Sequence, residues 1–221
     1  MTIDPRVAAE LVDACAAAIV VVGIGLAATR SIGRSIWLVA VQSALTGVAA
    51  LVVGLATGAG HLLVGGVLAI GVKGVVVPLV LGTILRRSAV RRERQPLLGP
   101  RASLVAAVAI VFAASAAADG AFVGSSVAAS RAVPAAIATV LTGLLIVMTR
   151  RKALSLVVGL LVFENGIALT AFSLTYGMPL VVELGVLFDL LIAVVVAWVY
   201  ARRMLDVLGT TSTDRLRSLR G

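Results

Sequence analysis

The chain is short of almost everything a soluble domain places on its surface. Only 13% of its 221 residues are charged, against about 25% in an ordinary soluble domain. Hydrophobic residues make up 61%, and the mean hydropathy is +1.14. An apolar fraction this high leaves too little polar surface to cover a globule, and the same numbers exclude disorder. Aromatics are scarce at 4%, which argues against a lipid-facing β-barrel with its aromatic girdles. The single cysteine, Cys15, can make no internal disulfide and sets no redox compartment. There is no Cys cluster, no HExxH pair, no Gly-rich phosphate loop and no serine nucleophile motif. Redox or hydrolytic chemistry would therefore reside on another chain.

What is present is Ala, Val, Leu and Gly in long runs, as expected of slim helices that pack closely in lipid. The reading is an all-α polytopic membrane protein. Polar clusters divide the chain into seven runs, roughly 8–28, 36–57, 61–85, 102–122, 133–149, 152–176 and 179–201. Each is about 17 to 25 residues, enough to cross a hydrocarbon core of about 30 Å. The net charge of +9 invites a nucleic-acid reading that the positions of the charges defeat. Sixteen of the nineteen basic residues fall in alternate loops and the tail: Arg30 and Arg34; six arginines from Arg86 to Arg101; Arg150, Arg151 and Lys152; and five from Arg202 to Arg220. Only Arg6 and Arg131 lie opposite, with Lys73 inside a run. By the positive-inside rule this puts the N-terminus outside and the C-terminus in the cytoplasm.

The leading segment of the first run carries Asp4, Glu10 and Asp13 where a cleaved signal would carry positive charge, so it is read as a retained helix; six spans is the alternative count. The chain reads as one membrane domain, 1–221, with a three-helix half at 1–85, a basic cytoplasmic loop at 86–101 containing Pro96 and Pro100, and a four-helix half at 102–221. Gly54-Leu-Ala-Thr-Gly58 and Gly120-Ala-Phe-Val-Gly124 match the GxxxG packing motif, but 22 glycines produce such matches by chance.

Ionisable residues at mid-bilayer cost several kcal/mol unless paired or hydrated, so the few inside the runs carry the information. Lys73, Glu164 and Asp189 each fall about ten to twelve residues into a run, close to the mid-plane at 1.5 Å per residue. Two acids and one base at one depth can meet or share a file of water. One reading is that Lys73 neutralises an acid and holds the bundle together. The other is a proton relay, because two carboxylates to one ammonium leave an acid over. Pro78, five residues after Lys73, breaks the helix by freeing a backbone carbonyl, with Gly71 and Gly74 nearby; an ordinary lipid-facing kink is the alternative. Asn165 points about 100° away from Glu164 and can bond a neighbouring helix, as can Gln42. Glu183 sits near the outer end of its run, and His61 and Asp119 fall at the interface.

The segment Val158-Gly-Leu-Leu-Val-Phe-Glu-Asn-Gly-Ile-Ala-Leu169, followed by Gly177-Met-Pro-Leu-Val-Val-Glu-Leu-Gly-Val-Leu-Phe-Asp189, resembles the hydrogenase-4 component E family, a membrane subunit of the formate hydrogenlyase type. Lys73 with Pro78 and the basic loops are similar too. The region 133–203 resembles the K-type subunit of complex I and the C subunit of multisubunit sodium/proton antiporters. The resemblance implies a non-catalytic subunit of a nickel-iron hydrogenase or complex I-like assembly in the plasma (inner) membrane, packed between antiporter-like subunits and the membrane anchor. It implies no cofactor on this chain, with nickel-iron and iron-sulfur centres on partner subunits, and a proton-transfer role for Glu164 and for Asp189 or Glu183. Lys73 is shared with component E alone. An autonomous ion-coupled secondary transporter and a purely structural membrane subunit are the other readings; the odd span count and the lack of a visible inverted repeat weigh against the transporter.

Overall fold

The computed structural model describes residues 4–87, 97–121 and 132–175, which are helical apart from short connections. The expected seventh run, 179–201, with Glu183 and Asp189, lies outside the described residues, as does the tail from Arg202. Six helical stretches among the described residues are long and apolar enough to cross a membrane.

Each helix begins and ends for an identifiable local reason. Helix α1, Pro5–Ala28, starts where the Asp4 side chain accepts from the Arg6 N–H and Pro5 takes the first helical position, where its missing N–H costs nothing. Helix α2, Ile32–Thr57, stops at Gly58, whose φ of 71° is left-handed and comfortable only without a Cβ. The third span is continuous but not uniform: helix α3, Gly60–Leu68, passes into a π-helical segment, Ala69–Val76, and then into helix α4, Val77–Arg87. Helices α5, Pro100–Ala121, α6, Ala132–Thr149, and α7, Ala153–Thr175, complete the described bundle. The first two helices start three to four residues earlier than the apolar runs alone suggest, because the Asp4–Pro5 cap and the Ser31 boundary set the start.

Helix α2 is central, packing on α1, α3, the π segment, α4 and α7. The two halves of the chain interleave, with α1 against α5 and α6 and α2 against α7. The main apolar cluster draws on six helices, with Leu26 from α1, Val39 from α2, Leu81 from α4, Ala107 from α5, Ile146 from α6 and Leu161 from α7. The tightest pair is α6 with α7. Gly143, Gly159 and Gly166 allow it: a Cβ on Gly143 would lie 2.4 Å from the Phe163 backbone nitrogen, and one on Gly166 2.5 Å from that of Val140. This is close packing by small residues, the arrangement helices use where lipid offers no hydrophobic gain for their association. Of the GxxxG glycines, Gly54 packs on Leu62 and Leu63 of α3, while Gly58 terminates α2.

The basic connections meet at one end of the bundle. Arg150 donates to the Ala27 and Thr29 carbonyls, capping the C-terminus of α1, and the Leu97 N–H donates to the Thr149 carbonyl. Gly99 faces the Arg30 side chain, and Gly33 faces Leu85.

Candidate functional site

Lys73 sits within the π segment, and the backbone there has the wider i→i+5 pattern, with the Val77 N–H donating to the Val72 carbonyl. Pro78 follows two residues beyond the segment. Its ring crowds the carbonyl four residues back, that of Gly74, and it brings no N–H of its own, so the regular α ladder is disfavoured there. Such wide turns recur at functional positions in helices. Pro78 is half-buried and lines the gap between α4 and α2.

The Lys73 side chain turns inward and is 6% exposed; Glu164 on α7 is 7% exposed. The Lys73 Nζ lies 2.5 Å from Glu164 Oε1. Both the π segment and α7 pack on α2, and the ion pair joins them beside it. Taking either charge alone out of water costs several kcal/mol, whereas the pair in contact is neutral as a unit and tolerable at this depth. The pair is incompletely satisfied: Glu164 Oε2 is buried and has no hydrogen-bond partner among the described residues.

A chain of neutral polar groups begins at the next residue. Asn165 donates to Ser43 Oγ at 3.0 Å and lies 3.5 Å from Gln42 Oε1, while Gln42 Nε2 donates to the Ile19 carbonyl at 3.0 Å. All three side chains are buried. They stitch α7 to α2 and α2 to α1, as the polar positions of Asn165 and Gln42 led one to expect. A Cβ on Gly23 would come within 3.4 Å of Gln42 Nε2, so the absence of a side chain there makes room for the amide.

The structure therefore brings together Lys73 and Glu164, with Pro78 at the helix break, and leaves Asp189 and Glu183 outside the described residues. Ser43 was not signalled by the sequence, since a serine one place from a glutamine in an apolar run is unremarkable; its position facing Asn165 is a tertiary fact. Arg150 also exceeded its reading as an orientation signal, being a buried helix cap. His61 lies in the first turn of α3, at a helix end as expected. Glu10 is exposed and Asp13 half-buried on α1. Among the described residues no three or more His, Cys, Asp or Glu side chains converge. Chemically, the site sets a buried carboxyl group, one oxygen of which meets no partner among the described residues, against an ammonium group and beside neutral groups that donate and accept.

Comparison with known proteins gives two kinds of relative. The uncharacterized protein Rv0085 of Mycobacterium tuberculosis is 33% identical over 211 residues, covering 95% of this chain and 96% of that protein. Hydrogenase-4 component E of Escherichia coli K12 is 27% identical over 149 residues, 67% of this chain and 69% of that protein, and the Shigella flexneri protein of the same description matches equally. No family model matches the chain, and no solved structure matches it.

Proposed function

The chain belongs to the same family as Rv0085, and from that premise, with its similarity to hydrogenase-4 component E, we infer that it is a non-catalytic integral membrane subunit of a nickel-iron hydrogenase or complex I-like assembly. In this reading it spans the plasma membrane with its N-terminus outside. It packs between antiporter-like membrane subunits and the membrane anchor, and nickel-iron and iron-sulfur centres belong to partner subunits. Its contribution is a set of mid-membrane charges on a proton-transfer axis: Lys73 and Glu164, continued by Asp189 or Glu183.

The observation that carries the reading is the half-satisfied ion pair. A purely structural pair gains most when every lone pair is met, because an unmet buried oxygen forfeits hydrogen-bond energy. Among the described residues nothing bonds the second oxygen of Glu164, as a carboxyl that must exchange a proton with water or with a partner subunit requires. The direct contact with Lys73 favours, as a second reading, a pair that only holds the bundle together.

Activity per assembled complex separates the two. Glu164→Gln keeps size and hydrogen bonding but removes the titratable group. The relay reading expects the complex to assemble at near-normal abundance with coupled turnover or proton movement reduced at least tenfold. Normal specific activity in that variant defeats the relay role of Glu164, and activity lost only in step with abundance supports the structural reading.

A further inference from the structure

Among the described residues, α2 and the third span leave a groove of about 670 Å³ between them. Its inner end lies at Ala40 and Gly74, next in sequence to the buried Lys73, and its outer end at Gly33 and Arg86. From Gly74 to Arg86 is twelve residues, about 18 Å of helix, which is close to half of a hydrocarbon core of about 30 Å. The groove is thus about one leaflet long. Small residues make its floor, and a Cβ at Gly82 would meet nothing within 4 Å. Trp37, Val75 and Leu79 make its walls.

The chemistry is one-ended. Apart from Thr83, whose hydroxyl donates to the Leu79 carbonyl, the track is apolar as far as Arg86, and its outer residues Gly33, Leu85 and Arg86 also line, with Ser31, a second recess of about 510 Å³. No acidic side chain among the described residues lies within ion-pair distance of Arg86. Arg34 is exposed one helical turn from Trp37, and Trp37 is 74% exposed, as a tryptophan at headgroup level is.

We propose that this groove is a binding site for one anionic phospholipid, an acyl chain lying between α2 and α4 and the phosphate held by Arg86 over Ser31. The dimensions and the charge fit that occupant better than a partner helix. A transmembrane helix needs a track through the whole bilayer, whereas a lipid chain ends at the mid-plane and carries its charge at the outer end. Basic pockets between membrane helices recognise anionic headgroups in this way. The proposal requires only that the chain spans a membrane, and is independent of its role in a hydrogenase-like assembly.

The test uses the full chain, affinity-purified from its own membranes in mild detergent with whatever partners accompany it. It is relipidated with dioleoyl phosphatidylglycerol or dioleoyl phosphatidylcholine and washed, and the retained lipid is counted by mass spectrometry. Phosphatidylglycerol is expected to be retained at about one per chain and phosphatidylcholine not. Arg86→Gln should lower retention about fivefold, the factor one basic side chain contributes near an anionic headgroup, and Arg86→Lys should restore most of it. Gly82→Leu should displace the acyl chain and lower retention without lowering protein yield; if its yield does fall, the Arg86 variants decide alone. Equal retention of the two lipids, or phosphatidylglycerol retention unchanged in Arg86→Gln, overturns the proposal. So does a Leu79→Cys variant that cross-links in native membranes to another polypeptide, which would put a protein helix in the groove.

Discussion

Lys73 and Glu164 are each too costly to bury alone, and that decides how their substitutions combine. Lys73→Met leaves a carboxylate buried without its base, a change that costs about 3–5 kcal/mol when one partner of a buried pair is removed. Lys73→Met with Glu164→Leu removes both charges and should recover most of that loss. A double-mutant cycle on thermal unfolding in detergent measures it, and a double variant as unstable as the sum of the singles would show that the two residues do not act as a pair. At the neighbouring position, Asn165→Ala removes the bonds to Ser43 and Gln42. The expected loss is smaller, about 1 kcal/mol, since interhelical hydrogen bonds in membranes average about 0.6 and reach about 1.7 kcal/mol. Ser43→Ala should add little on top of it, because the same contact is already gone.

The helices are held at distances set by individual glycines, and those glycines divide into two kinds. Gly143→Ala and Gly166→Ala place a Cβ against backbone atoms of the facing helix. Backbone cannot step aside as a flexible side chain can, so α6 and α7 must separate, at a cost of about 1–3 kcal/mol or more. Gly82→Ala on α4 meets open space and should raise helix stability by up to about 1 kcal/mol. Melting temperatures of the three variants in one detergent order them; a Gly143→Ala protein as stable as Gly82→Ala would contradict the close α6–α7 approach. Nothing of this kind could be ranked from sequence, where all 22 glycines look alike.

For the whole molecule, the gathering of the Arg30, Arg86, Arg101 and Arg150 connections at one end makes the orientation testable from two sides. On a Cys15→Ala background, Leu97→Cys is expected to react with a membrane-impermeant maleimide only in inverted vesicles, and Thr57→Cys only in intact cells; both residues are exposed. The reverse pattern would invert the topology. The seven-run reading extends beyond the described residues, where Glu183 and Asp189 await the same kind of placement.

The amino-acid sequence by itself determined that this is a helical protein with membrane-crossing runs, and placed six of those runs close to the helices among the described residues, because hydropathy and length are local properties that add along the chain. It also marked Asn165 and Gln42 as interhelical donors, since a polar amide in an apolar span has few other uses. Only the tertiary structure decided that Lys73 meets Glu164, that Asn165 meets Ser43, and that the third span opens into a π segment. The reason is rotational. Helices apolar on every side carry almost no amphipathic phase, so depth can be counted from either end of a run while the direction each side chain faces is set by how the glycines let neighbouring helices turn and approach.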